Sequence, residues 1–231
     1  MSSQILLPFG NFEHFSFESF LAGNNQQVVD SLKNTASGKH TAFLYVWGNK
    51  GTGKSHLLQA SCGHASQHNL KPVYIPLSEH TKLSPDILSG LETLDLVCID
   101  DVDSIAGDVE WERAFFNLYN SILETKKSLF ATSIKSPFGN AIALPDLKSR
   151  LASGVTYHLK YLAEDERLSA VKQRAEKRGL ELSDEVLDYL SRHVARDMHT
   201  LFNWLDRMDE ATLVSKKKLT VSLLRQLLDK N

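Results

Sequence analysis

Gly48-Asn49-Lys50-Gly51-Thr52-Gly53-Lys54-Ser55 decides the reading of this 231-residue chain. It satisfies G-x-x-x-x-G-K-[ST] at every fixed position. The β-rich apolar run Thr41 to Trp47 precedes it, and Ser55-His56-Leu57-Leu58-Gln59-Ala60-Ser61-Cys62, a helix-forming stretch, follows it. Strand, glycine loop and helix in that order turn consecutive backbone N–H groups inward around phosphate oxygens, and the helix N-terminus adds its dipole. Residues 48–55 with the adjoining His56 form the expected nucleotide cradle. Lys54 is placed to reach the β- and γ-phosphates and Ser55 to hold Mg²⁺.

Working outward, the bulk properties fit a globular protein. Hydrophobic residues make up 42% of the chain, enough to bury a core, so disorder is not expected. Twenty-six basic against 28 acidic side chains leave a formal charge of −2, which argues against tight, unaided nucleic-acid binding. Cys62 and Cys98 show no CxxC spacing, so neither a disulfide framework nor a zinc pattern is expected, and a reducing cytoplasm fits. The opening apolar run Ile5 to Phe9 is too short for a signal sequence, and no membrane span is expected.

Further apolar runs predict strands at Pro72 to Leu77, Leu94 to Asp100, Ser128 to Ser133 and Val155 to Leu159. Between them, helical spacing appears at Val109 to Thr125 and at Pro145 to Leu151, and Ser84-Pro85 reads as a helix start. From Ala163 onward the pattern is helical only, with Gly179, Ser183 and Thr220 as stop and start residues. The expected fold is an α/β P-loop domain with a parallel five-stranded sheet and flanking helices, followed by a small all-helical lid. The expected boundaries are 1–10 for an N-terminal peptide, 11–161 for the α/β domain and 162–231 for the lid.

Two further features carry chemistry. Asp100-Asp101 ends the third strand, the Walker B arrangement. There Asp100 is expected to hold Mg²⁺ and Asp101 to orient or polarise an attacking water. Arg150, in Leu147-Lys148-Ser149-Arg150-Leu151, follows the fourth strand on a short helix, where it cannot readily fold back onto its own phosphates. It reads either as a surface ion-pair partner or as an arginine serving a neighbouring molecule's site, a role contributing about 10³–10⁵ in rate.

The order of P-loop, Ile99-Asp100-Asp101, Leu147-Lys148-Ser149-Arg150-Leu151 and helical lid resembles the AAA+ module of the bacterial replication initiator DnaA. His14-Phe15-Ser16-Phe17-Glu18-Ser19-Phe20, the residues around Asp100 and the closing helices are similar to the Hda-type regulators, short relatives of that initiator. The resemblance implies a negative regulator of replication initiation. It would hold ADP or ATP, the diphosphate by preference, with Mg²⁺. It would dock on the DNA polymerase sliding clamp and stimulate hydrolysis of ATP bound to DnaA through Arg150 acting in trans. In that family a glutamine-led apolar peptide docks on the clamp, and Gln4-Ile5-Leu6-Leu7-Pro8-Phe9 has that form, with Gln4 for a polar subsite and Leu7 and Phe9 for an apolar pocket. One of Phe15, Phe17 and Phe20 would lie near the nucleotide base. The initiator adds an N-terminal domain and a C-terminal helix-turn-helix domain for which 231 residues leave no room, so DNA is expected to be reached only through the clamp. Self-association is compatible with the resemblance.

Two positions depart from the family pattern. Ile134 stands where DnaA-type proteins carry an acidic sensor, leaving the Thr132 and Ser133 hydroxyls as candidate substitutes. His199 stands where the lid carries a phosphate-sensing arginine, and it is a weaker, pH-dependent ligand. Both changes predict slow hydrolysis in this chain's own site, so it is expected to act mainly as an activator of a partner's ATPase. Two rival readings are a DNA-remodelling or helicase-loading AAA+ ATPase that binds nucleic acid as an oligomer, and a small P-loop kinase. The near-neutral charge opposes the first and the four-helix lid the second. His64 and His68, four apart, lack an evident third metal ligand, and Lys216-Lys217-Lys218 reads as a solvated loop.

Overall fold

The structure, a computed structural model, describes residues 15–194, 197–215 and 220–228. It divides into two compact units: one ends at Lys160, and the other begins at Tyr161 and takes in residues 50–52.

In the first unit, β1 (Phe43–Trp47), β2 (Pro72–Pro76), β3 (Leu96–Asp100), β4 (Ser128–Ser133) and β5 (Val155–His158) form one sheet in the order β2-β3-β4-β1-β5. Every pairing is parallel. Strands β3 and β4 are buried at every residue, β3 as its nearly continuous apolar sequence requires, whereas β5 is an exposed edge. The sheet is covered by α1 (Gln26–Ala36), α2 (Lys54–Gln67), α3 (Val109–Glu124) and α4 (Pro145–Ser153).

Strand side chains alternate between faces, so two cores result. Phe43 and Tyr45 pack with Ile99, Leu129 and the α3 residues Trp111, Phe115, Leu118 and Ile122. Leu44 and Val46 pack on the other face with Phe130, Val29 and Leu32 of α1, and Leu57 and Leu58 of α2. Asp108 starts α3, its carboxylate accepting the N–H groups of Glu110 (3.2 Å) and Trp111 (3.3 Å).

Helix α1 and the Ser84-Pro85 segment differ from the sequence expectation. Helix α1 was not anticipated, because its buried Val28, Val29 and Leu32 are spaced among polar residues and gain their value only by packing on α2 and the sheet. Ser84-Pro85 opens a single 3₁₀ turn, Pro85–Leu88, rather than a helix. Ser84 Oγ does accept the Asp86 N–H (3.3 Å), but Gly90, at φ 81°, soon breaks the chain away.

The lid unit contains α5 (Glu164–Lys177), α6 (Asp184–His193), α7 (Met198–Ser215) and α8 (Val221–Leu228). It has its own core, including Val171, Val186, Leu187, Leu190, Leu201, Trp204, Leu205, Met208 and Leu224. Ser183 caps α6 through the Val186 N–H (3.4 Å), and Gly179 takes a left-handed conformation (φ 74°) after α5.

Residues 15–20 pack along α2. Phe17 is buried and meets the His64 ring edge-on at 5.5 Å, and Phe15 meets His56 edge-on at 5.2 Å. His56 Nε2 lies 2.9 Å from the Ser16 carbonyl, to which it donates, and 3.3 Å from Ser19 Oγ. Burial pushes the pKa of His56 down, only partly offset by the Ser16 carbonyl; burial, with His68 alongside, pushes His64 down too. Both therefore protonate more readily in the unfolded chain. Their stabilising contribution is complete above about pH 6.5, the ordinary histidine value, and is lost as the pH falls below it. The thermal midpoint should accordingly drop between about pH 7.5 and about pH 5.5. His56→Gln should remove part of that drop, with His64 carrying the rest; an unchanged pH dependence in His56→Gln contradicts this packing.

Candidate functional site

The chain leaves β1 at Gly48, whose N–H donates to the Ser133 carbonyl at the end of β4 (3.1 Å), so the glycine loop starts at the C-terminal edge of the sheet. Gly51 (φ 82°) and Gly53 (φ 97°) take left-handed conformations that side chains disfavour. A Cβ at Gly53 would lie 2.6 Å from Cε2 of Phe20, so that ring rests directly on the loop. Of the three candidate phenylalanines, Phe20 is the one on the glycine loop, Phe17 is core, and Phe15 sits on His56.

Lys54 is only 6% exposed, and its Nζ donates to the carbonyls of Gly48 (2.8 Å) and Asn49 (3.1 Å). Burial pushes its pKa down, while Asp101, Asp100 and Asp103 pull it back up. The ammonium thus shares a field with the Walker B carboxylates. Thr52 is buried, Asn49, Lys50 and Gly51 are exposed, and Ser55 is half-buried in the first turn of α2.

Asp100, at the end of β3, is 1% exposed, and both its oxygens are engaged. The Tyr74 hydroxyl of β2 donates to Oδ2 at 2.7 Å, and the Thr132 hydroxyl of β4 donates to Oδ1 in a short bond. Burial and the adjacent Asp100 push the Tyr74 phenol far up, so it remains a donor. Thr132 Oγ1 also accepts the Asp101 N–H (3.1 Å). Asp101 is held at φ 55°, ψ 51°, a left-handed conformation costing on the order of 1–2 kcal/mol for a non-glycine residue. That turn swings the chain into the segment carrying Asp103, whose Oδ1 accepts the Ile134 N–H (2.9 Å) and fastens the segment to the end of β4.

The hydroxyls offered as substitutes for an acidic sensor are both committed to internal bonds. Thr132 serves Asp100 and Asp101. Ser133 Oγ accepts from Asn140 Nδ2 (3.1 Å) and the Lys135 N–H (3.2 Å). Asn140 also donates to the Tyr45 hydroxyl (2.9 Å), whose pKa burial pushes up to about 12. Ile134 itself is 42% exposed.

Arg150 is exposed on α4, with its guanidinium carbon 5.9 Å from the centroid of the Tyr119 ring. Among the described residues no ion pair involves it, so the surface ion-pair reading finds no partner there. The His56 ring is taken up by residues 15–20. His199 is the second residue of α7, and its side chain lies outside what the structure describes. Gln4, Leu7, Phe9 and the Lys216–Lys218 run also lie outside the described residues. Among the described residues no group of three His, Cys, Asp or Glu side chains is arranged to hold a metal ion, His64 and His68 included. Ser55 and Asp100 are the residues of this site that would hold a divalent ion.

Sequence reasoning overlooked Tyr74 and Thr132 as partners of Asp100. Their one signal is a hydroxyl within an otherwise apolar strand, because a buried hydroxyl needs a partner.

The fold has counterparts among known proteins. Residues 12–158 match the bacterial DnaA ATPase domain, and residues 164–228 match the lid domain of Hda. Domain III of the Thermotoga maritima replication initiation protein DnaA superposes with a TM-score of 0.78 at 22% identity, covering 93% of this chain and 95% of that one. AMPPCP-bound DnaA from Aquifex aeolicus gives 0.70 at 23% identity, covering 87% of this chain and 66% of that one. The Thermotoga maritima RuvB Holliday junction branch migration motor gives 0.70 at 13% identity over 93% and 71%, which marks a shared fold. No helix among the described residues is long and apolar enough to cross a membrane. With a P-loop, a Walker B strand and a helical lid in this order, the chain belongs to the DnaA-related AAA+ family, with a lid of the Hda kind.

Proposed function

We propose that this chain is a nucleotide-bound regulator that switches off the replication initiator DnaA by stimulating hydrolysis of the ATP that DnaA carries. The observation that carries the reading is Arg150: an exposed arginine, with no ion-pair partner among the described residues, on a short helix of a DnaA-type domain that carries an Hda-type lid. In its own site, the backbone N–H groups of residues 48–55 and the Lys54 ammonium bind phosphates. Phe20 and the segment around it close over the glycine loop. Ser55 and Asp100 would hold a Mg²⁺ ion, which would supply positive charge beside the phosphates, and Asp101 would orient water. A nucleotide analogue bound to DnaA of Aquifex aeolicus supports this use of the loop. With His199 in place of a sensor arginine and the Thr132 and Ser133 hydroxyls committed elsewhere, the site favours a diphosphate and turns over slowly.

Arg150 then enters the nucleotide site of DnaA, where a cation stabilises the charge that develops on the transferred phosphoryl group. Placement beside that target comes from Gln4, Leu7 and Phe9 docking on the sliding clamp. Sharing one clamp raises the effective concentration toward the millimolar range, so a short peptide suffices. DNA is met only through the clamp, in the cytoplasm.

The test is hydrolysis of initiator-bound ATP in the presence of clamp and DNA. Arg150→Ala should slow it by about 10³-fold or more. Gln4→Ala should slow it at low protein concentration and recover as the concentration rises. If both variants hydrolyse at the wild-type rate, the mechanism fails.

A further inference from the structure

Glu112 is fully buried. It lies in the first turn of α3, where its Oε1 accepts the N–H groups of Gly107 (2.7 Å) and Ala143 (2.9 Å) and its Oε2 accepts that of Leu144 (2.7 Å). A carboxylate out of water is strongly unfavourable unless charge-assisted hydrogen bonds replace its hydration, and three backbone donors do so here.

Those donors come from two different loops. Gly107 closes the turn that begins at Asp101 and carries Asp103. Ala143 and Leu144 immediately precede Pro145, the first residue of α4, which has no side-chain cap of its own. The Glu112 charge therefore stands in for a cap at the positive end of the helix that carries Arg150.

The other end of α4 is held by the same face of α3. Tyr119, two helical turns beyond Glu112, lies 3.0 Å from Ser153 Oγ and has its ring beside Arg150. Ser153 Oγ donates its single proton to the Arg150 carbonyl (2.8 Å), so the bond between the two hydroxyls is donated by Tyr119. Helix α4 is thus gripped at both ends by α3, and at its N-terminal end the grip is shared with the turn after Asp101.

We infer that Glu112 is a positioning residue for Arg150, locking the arginine helix to the Walker B turn so that the turn carrying Asp101 and Asp103 sets the direction in which Arg150 is presented. The inference rests on the reading of Arg150 as acting in trans. It assigns Glu112 no contact with either nucleotide.

The experiment titrates initiator-bound ATP hydrolysis, with clamp and DNA, against the concentration of wild type, Arg150→Ala, Glu112→Gln, Tyr119→Phe and Ser153→Ala, alongside hydrogen exchange of the amides of residues 143–153. Glutamine turns an N–H₂ toward a backbone donor, so one hydrogen bond becomes a conflict. Glu112→Gln should lower the maximal rate by about 10- to 100-fold, as a misplacement of about 1 Å does, while the half-saturating concentration stays within about twofold. Exchange at the start of α4 should quicken. An unchanged maximal rate in Glu112→Gln, with Arg150→Ala inactive, overturns this inference and leaves the trans-acting arginine standing. A shift confined to the half-saturating concentration also overturns it, because that marks docking rather than positioning. Full activity in Arg150→Ala overturns both. If Glu112→Gln does not fold, Tyr119→Phe and Ser153→Ala decide the matter: each should lose maximal rate by about 3-fold or more, and wild-type rates in both contradict the inference.

Discussion

A carboxylate buried at the tip of a central strand has to be given partners, and the supply of partners to Asp100 organises this molecule. Tyr74 comes from β2 and Thr132 from β4, so one side chain joins three neighbouring strands. The same threonine fixes the Asp101 backbone in its left-handed turn. Because every strand is parallel, the glycine loop after β1 leaves from that same edge, and the Lys54 ammonium falls within the field of Asp100, Asp101 and Asp103. A nucleotide cradle at the carboxyl edge of an open parallel sheet follows from that arrangement.

Helix α3 extends the same logic outward. Its apolar stripe builds one core of the sheet, while Glu112 and Tyr119 on an adjoining part of its surface hold the short α4 by hydrogen bonds. A nine-residue helix is marginal by itself. Its buried Leu147 and Leu151 and its two anchored ends give it a fixed geometry.

What could be read from the sequence was local or periodic. The glycine loop is eight contiguous residues whose backbone demands are written into their identities, and β3 is an apolar run with only one plausible burial. The lid followed from helical spacing with Gly179 and Ser183 as punctuation. What could not be read was pairing across distance: Tyr74 and Thr132 on Asp100, Phe20 on Gly53, and Glu112 on Ala143 and Leu144 are each ordinary in their own neighbourhood. The His56 ring illustrates the same limit, since its position in the loop motif suggests phosphate whereas its packing belongs to residues 15–20. Helix α1 was missed because its few apolar residues matter only once α2 and the sheet are in place beside them, and Ser84-Pro85 carried a helix-start signal without enough chain behind it to build a helix.

The most direct measurement is the structure of this chain bound to the ATPase domain of DnaA carrying a non-hydrolysable ATP analogue, with ADP supplied to both. The account predicts a diphosphate on residues 48–55 of this chain and the Arg150 guanidinium about 3 Å from a γ-phosphate oxygen of the partner's nucleotide. A complex in which Arg150 faces solvent while another side chain occupies that position would contradict it.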